Sequence, residues 1–173
     1  MLDLACGAGR HARHLAALGH SVLAVDRDEG ALAGLAAVPA IETRCADLEA
    51  GGWPLAGERF DGIIVTNYLH RPLLPSLIGA LKPDGVLLYE TFARGNAAFG
   101  RPSNPHFLLE PGELLRFALA GGLAVVAFEE GVVTSGGRPA AVQRVAALGA
   151  DRPRPVPLPA NHPAPRAVDA PCP

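Results

Sequence analysis

Apolar and polar positions along the chain alternate between two rhythms. "LDLAC" (2–6) is a short apolar run broken by one acid, and it is followed by "RHARHLAALG" (10–19), in which Ala12, Leu15, Ala16 and Leu18 fall close to one face at helical spacing. Gly19 stops that helix. "SVLAVD" (21–26) reads as a strand ending in an acid, and "EGALAGLAAV" (29–38) as a second helix closed by Pro39. "IETRCAD" (41–47) is a third strand, again ending in Asp, and "FDGIIVTNYL" (60–69) is a fourth, rich in β-branched residues. "PLLPSLIGAL" (72–81) predicts a helix that Pro75 either opens or breaks. "KPDG" (82–85) marks a turn into the strand "VLLYETFA" (86–93). A long loop (94–109) leads to the helix "PGELLRFALAG" (111–121), with Pro111 near its start. The last two strands, 123–133 and 140–150, are joined by "TSGGRP", too short for a crossover helix, so they form an antiparallel hairpin.

Strands alternating with helices predict an α/β fold: a Rossmann-like, mostly parallel sheet with helices on both faces, here closed by a C-terminal antiparallel hairpin. The sequence "DRPRPVPLPANHPAPRAVDAPCP" from Asp151 onward is dense in proline and poor in core formers. It is read as an extended or disordered tail, which leaves residues 1–149 as the folded domain and 150–173 as the tail.

Composition narrows the classes. With 173 residues, 49% of them hydrophobic, the chain has material for one core. A net charge of −2 gives no electrostatic case for nucleic acid or an anionic membrane. Lys82 is the only lysine, a bias that fits the codon usage of a GC-rich bacterial genome. No run reaches the roughly 18 apolar residues of a membrane span, and Asp3 and the glycines interrupt any signal-peptide pattern. Cys6, Cys45 and Cys172 are an odd, unpaired set, so no disulfide framework is expected, and Cys6 and Cys45 are read as small buried hydrophobes. These features predict a cytoplasmic, soluble, single-domain protein, taken as a monomer or homodimer.

Chemistry concentrates in "GAGRHA" (7–12), which satisfies G-x-G-x-x-[G/A], with Asp26 at the end of the second strand. Gly7 and Gly9 permit a sharp turn and close approach of a ligand. Asp26 can accept hydrogen bonds from both hydroxyls of a ribose. Taken alone, this pattern fits a dinucleotide site equally well. Asp3 discriminates: a carboxylate just ahead of the glycines favours a cationic group and disfavours a pyrophosphate at the helix N-terminus.

"LDLACGAG" (2–9) resembles motif I of class I S-adenosylmethionine-dependent methyltransferases, hydrophobic-Asp-hydrophobic-x-x-Gly-x-Gly. The resemblance continues to about residue 148 and implies S-adenosylmethionine as cofactor. It implies that the motif loop, with Asp3, Ala5, Gly7 and Gly9, meets the amino-acid end of the cofactor. Asp26 with Arg27 would meet the ribose, Asp47 with Leu48 the adenine, and Asn67 would join them from the fourth strand. The alternatives are an NAD- or NADP-binding protein and a catalytically inactive adenosyl-ligand-binding module. In this family the chain ahead of motif I supplies helices that close over the cofactor. Met1 stands two residues before Asp3, so the expectation is a natural start further upstream, with weak cofactor binding by the chain as given.

Methyl transfer from a sulfonium is an in-line displacement that relies on positioning more than on an acid or base. The crevice at the carboxyl ends of the strands offers Asn67, Tyr68 and His70 after the fourth strand, and Glu90 and Thr91 in the fifth. His70 is either a general base or merely the start of the next helix. Tyr68 either shapes the methyl-donor pocket or packs, and Glu90 either binds substrate or orients a loop. "NYLH" (67–70) does not match the Asn-Pro-Pro-Tyr motif of amine and amide methyltransferases. In the long loop, Arg94, Arg101 and Asn104 can grip an anionic or polar substrate while Phe99 and Phe107 cover it; otherwise it is a surface loop docked by its aromatics. Together with "NYLHRPLL", this loop resembles small bacterial methyltransferases of the tellurite-resistance type, which implies a small-molecule acceptor such as a chalcogen oxyanion or thiol-like compound. His11 and His14 lack further ligands and are read as solvent-facing or packing residues, so no metal is expected.

Overall fold

A computed structural model describes residues 1–135 and 137–154. Seven strands form one sheet: β1 (Leu2–Leu4), β2 (Val22–Asp26), β3 (Ile41–Cys45), β4 (Phe60–Thr66), β5 (Leu81–Phe92), β6 (Ala124–Ser135) and β7 (Arg138–Leu148). Their order is β3-β2-β1-β4-β5-β7-β6. The first five strands run parallel, and β7 is antiparallel to both β5 and β6. Connections reverse direction between β1 and β4, which opens a crevice at the carboxyl ends of those strands.

Alternation along each strand sorts side chains to two faces. On one, Val22, Ala24, Ile41 and Ile64 pack with Ala12 and Leu15 of α1 (Arg10–Ala17), with Leu32 of α2 (Glu29–Ala33), and with Leu35. On the other, Leu2, Leu4, Val25, Ile63, Val65 and Leu87 pack with Leu77 and Ala80 of α3 (Leu74–Ala80) and with Leu114 and Ala118 of α4 (Glu113–Ala120).

Several boundaries differ from those the sequence predicts. α2 ends at Ala33, five residues early, because the chain bends at Gly34 and drops Leu35 into the core at 0% exposure. Pro75 falls in the first turn of α3, behind a 3-10 turn at Arg71–Leu73, and so does not break the helix. The "KPDG" turn bulges out of β5: Phe60 pairs with Leu81 and Gly62 with Val86, leaving residues 82–85 without partners on β4. β6 and β7 each reach two residues nearer the hairpin tip than expected, to Ser135 and from Arg138, and run past the sheet. The pairing of β5 with β7 stops at Phe92 and Val142, and beyond that point Val132–Ser135 and Arg138–Ala141 pair with each other as a two-stranded arm, held at its base by the bond from the Ala93 N–H to the Ala141 carbonyl at 2.9 Å. Cys45 is exposed, not buried, because it ends an edge strand, and Cys6 is half-buried. Asp151 and Arg152 hydrogen-bond back to Pro83 and Asp84, while the rest of the proline-rich tail, from residue 155, lies outside the described residues. Among those residues no helix is long and apolar enough to cross a membrane.

One buried amide locks α4 to the sheet. Gln143 of β7 is 0% exposed, accepts from the Leu114 N–H at 3.0 Å and donates to the Glu110 carbonyl at 2.7 Å. Gln143→Leu would leave both backbone groups buried without partners, at a cost of about 2–4 kcal/mol. Thermal denaturation should show a melting temperature lower by roughly 4–16 °C.

Candidate active site

The turn between β1 and α1 is built from left-handed backbone. Ala5 (φ 54), Gly7 (φ 53) and Gly9 (φ 73) all have positive φ, and so does Asn67 (φ 56) just beyond β4. Ala5 and Asn67 are the two non-glycine residues in this conformation among the described residues, and both stand where the sheet changes direction. Such backbone costs on the order of 1–3 kcal/mol per residue and persists where surrounding structure dictates it.

Three carboxylates hold the turn and its neighbours in place. Asp26 Oδ2 accepts the Gly7 N–H at 2.7 Å and Oδ1 accepts the Asp28 N–H at 3.0 Å, fastening the glycine turn to the end of β2. Asp3, 1% exposed, accepts the Ala12 N–H at 2.8 Å and so anchors α1 to β1. Burial raises its pKa to about 6, against the smaller opposing effect of that hydrogen bond. Asp47 Oδ1 accepts the Glu49 N–H at 2.8 Å.

Around this turn lie two adjoining cavities. One, of about 370 Å³, is lined by Ala5, Asp26, Arg27, Asp47, Leu48, Glu49, Asn67, Tyr68 and Thr91, with Pro102 and Phe107 reaching in from the long loop. The other, of about 1080 Å³, is lined by Gly7, Arg10, His11, Thr66, Glu90, Asn96, Phe99, Arg101, Arg138 and Val142, among others. Ala5, Asp26, Asn67, Tyr68 and Phe92 belong to both. The Tyr68 hydroxyl is buried and has no hydrogen-bond partner among the described residues. Burial, reinforced by Glu49 and Asp47, holds its pKa above the ordinary value, so it stays protonated and able to donate. Cys6 is pushed up to about 12 by burial beside Asp3 and Asp26, so its thiol is not a nucleophile at neutral pH.

Not every residue expected at the site reaches it. Asp3 lies beneath the loop and lines neither cavity, because the amide of Ala12 takes its carboxylate inward. Gly9 faces away as well: a Cβ there would stand 2.4 Å from Leu35 Cδ1, so this glycine serves helix packing. A Cβ on Gly7 would meet nothing within 4 Å. His70 precedes the 3-10 turn at Arg71–Leu73 and lines neither cavity. Arg94 is at the neck of the long loop, where Ala93 bridges Leu109, and its Nε pairs with Glu110 Oε1 at 2.9 Å, away from the crevice. Asn104 caps a 3-10 turn by accepting from the His106 N–H at 3.0 Å. Glu90 does line the larger cavity, with its Oε2 3.0 Å from Arg144 Nε.

The crevice also takes in residues that the sequence did not assign to the site, among them His11, Thr66, Asn96 and Arg138. His11 is half-buried there, not solvent-facing, with Nδ1 3.4 Å from Thr66 Oγ1. Burial and neighbouring Arg10 lower its pKa from the ordinary histidine value. His14 is exposed.

The family model for the methyltransferase domain matches residues 1–85. No curated protein matches the chain. Solved structures share the fold across most of its length. A TehB-like SAM-dependent methyltransferase from Corynebacterium glutamicum is 22% identical, with 86% of this chain and 78% of that one covered and a TM-score of 0.60. A SAM-dependent methyltransferase from Methanosarcina mazei is 16% identical, with coverages of 86% and 91% and a TM-score of 0.66. The glycopeptide N-methyltransferase MtfA, in complex with S-adenosylmethionine, is 21% identical, with coverage of 86% for both chains and a TM-score of 0.58. Residues 1–85 thus match the methyltransferase-domain family, and the chain has the fold of the class I S-adenosylmethionine-dependent methyltransferases.

The two glycines of the turn should separate experimentally. Gly9→Ala places a methyl into Leu35 at positive φ and should cost about 2–4 kcal/mol in urea unfolding. Gly7→Ala should cost only about 1–2 kcal/mol, while placing its methyl in the cavity and weakening any ligand there. Asp3 makes a pH prediction. Its folded pKa lies above its unfolded 3.8, so its contribution is full below that value and lost as pH rises through about 6. Asp3→Asn keeps an acceptor for Ala12. Relative to this variant, the native chain should lose on the order of 3 kcal/mol between about pH 4 and pH 7, read from urea titrations across that range.

Proposed function

We propose that the chain transfers the methyl group of S-adenosylmethionine to a small-molecule acceptor, in the cytoplasm, as a monomer or homodimer. The observation that carries this reading is the pair of cavities sharing the Ala5–Asp26–Asn67–Tyr68 wall. A ligand seated in the smaller one ends against the larger one, which suits a donor and an acceptor meeting end to end.

The residues fit the cofactor. Asp26 spends one lone pair of each oxygen on the amides of Gly7 and Asp28 and keeps the others for ribose hydroxyls. Asp47 and Leu48 supply an acceptor and an apolar face for adenine, and the unpartnered Tyr68 hydroxyl supplies a donor. Gly7 leaves room for the cofactor's amino-acid end. When bound, S-adenosylmethionine supplies an electrophilic methyl on a sulfonium sulfur, whose departure as a neutral thioether needs no acid. What remains for the protein is orientation and the exclusion of competing nucleophiles. The stiff turn does the first, and the protonated Cys6 does not compete. With its pKa lowered, His11 is neutral at neutral pH and stands on the acceptor side, so it replaces His70 as the candidate proton acceptor.

Fold alone does not decide the reaction, since the [4+2]-cyclase SpnF shares it at a TM-score of 0.64. Thermal unfolding with saturating S-adenosylhomocysteine or NADH tests the cofactor. A ligand at about 100 times its dissociation constant adds about 2.7 kcal/mol, so S-adenosylhomocysteine should raise the melting temperature by roughly 5–10 °C. Asp26→Ala should lose most of that shift relative to its own unliganded value. A shift with NADH alone, or none with S-adenosylhomocysteine, would overturn the proposal.

A further inference from the structure

We infer that the acceptor is a small organic anion with an apolar body, its charged group held by Arg101 and Arg138 on two arms that Asn96 ties together. This rests on the methyl-transfer reading of the same site. Arg101 comes from the tip of the long loop and Arg138 from the self-paired end of the β6–β7 hairpin, yet both line the larger cavity.

What brings them together is one buried side chain. Asn96 is 2% exposed; its Nδ2 donates to the Pro102 carbonyl at 3.0 Å, and its Oδ1 accepts the Ala141 N–H at 3.1 Å. The first bond fixes the residue after Arg101, and the second fixes the hairpin three residues after Arg138. Both arms are therefore referenced to a single amide, and the exposed Arg101 and Arg138 line the same crevice.

Charge accounting leaves these two groups unspent. Of the carboxylates in the cavity, Glu90 is paired with Arg144, and Asp26 is bonded to two backbone amides. Arg10 donates through Nη2 to the neutral His11 Nε2 at 3.1 Å and keeps its positive charge on the same wall. Arg101 and Arg138 have no hydrogen-bond or ion-pair partner among the described residues. Guanidinium forks match carboxylate and phosphate oxygens bidentately. Phe92, Phe99, Val133 and Val142 line the same cavity and suit an apolar body behind the anionic group.

The test uses the full chain saturated with S-adenosylhomocysteine, titrated by ligand-observed NMR with benzoate, phenyl phosphate, benzyl alcohol and benzylammonium. At least one of the two anions should bind about tenfold or more tightly than the alcohol and the cation, and added sodium chloride should weaken it. Arg101→Gln and Arg138→Gln should each weaken that anion by about fivefold or more and leave S-adenosylhomocysteine binding unchanged. If S-adenosylhomocysteine binds normally but neither anion is preferred, or if neither substitution changes the preference, the anion site is overturned alone. If S-adenosylhomocysteine does not bind, the methyl-transfer reading falls and this inference falls with it.

Discussion

The hydrogen bond from the Gly7 amide to the Asp26 carboxylate is the interaction on which the site depends. It joins the turn after β1 to the end of β2, beside the bond from the Cys6 N–H to the Val25 carbonyl at 3.0 Å. A turn with three left-handed residues has little intrinsic reason to hold one shape, since glycine gains freedom when released. The carboxylate removes that freedom, and its second oxygen does the same for the chain entering α2. Asp3 completes the frame from below by holding α1 through Ala12. Two acids set on neighbouring strands thus fix the floor of the crevice, and the strained Ala5 and Asn67 become tolerable because the parts around them do not move.

The acceptor side is built on a different principle. The long loop is closed at its neck by the pairing of Ala93 with Leu109 and by the Arg94–Glu110 ion pair, so its two ends act as one stalk. From this stalk Phe99, Arg101 and Phe107 are delivered to two different cavities. Gln143 and Asn96 play matching parts: each is a buried amide that satisfies one backbone donor and one backbone acceptor on separate elements. Neutral amides suit this task, because both halves can be satisfied without burying a charge.

Much of the fold was legible because its signals are local. β-branched runs marked the strands, glycine and proline marked most ends, and a linker too short for a crossover marked the hairpin. Asp26, Asp47 and the Gly7 turn were legible for the same reason, since an acid at the end of a strand reaches the crevice wherever the strand goes. What escaped depends on distant partners. Nothing near Asp3 in sequence shows that Ala12 will draw its carboxylate inward. Gly9 and Gly7 look alike until Leu35 is placed. Arg94 and Arg101 are equivalent in sequence, and only Glu110, sixteen residues from Arg94, separates them. His11 was misjudged because the helix face it shares with Thr66 is set by the packing of α1 on β4. Arg138 was missed because the hairpin overshoots the sheet, a matter of register that composition does not record.

That overshoot divides the molecule into a conservative part and an adaptable one. Up to Val142, every change in β7 is felt by β5 and β6 together, and a slipped register would turn core residues to solvent. Toward its tip from Val142 the hairpin leaves the β5 ladder and stays joined to the chain after β5 through Ala141, which bonds Ala93 and Asn96, so residues nearer the tip than Ala141 can be inserted, deleted or exchanged without disturbing the parallel strands that carry the acidic turn. A scaffold arranged this way can keep one donor while trying successive acceptors, because the wall that selects the acceptor is free to vary and the wall that holds the donor is not.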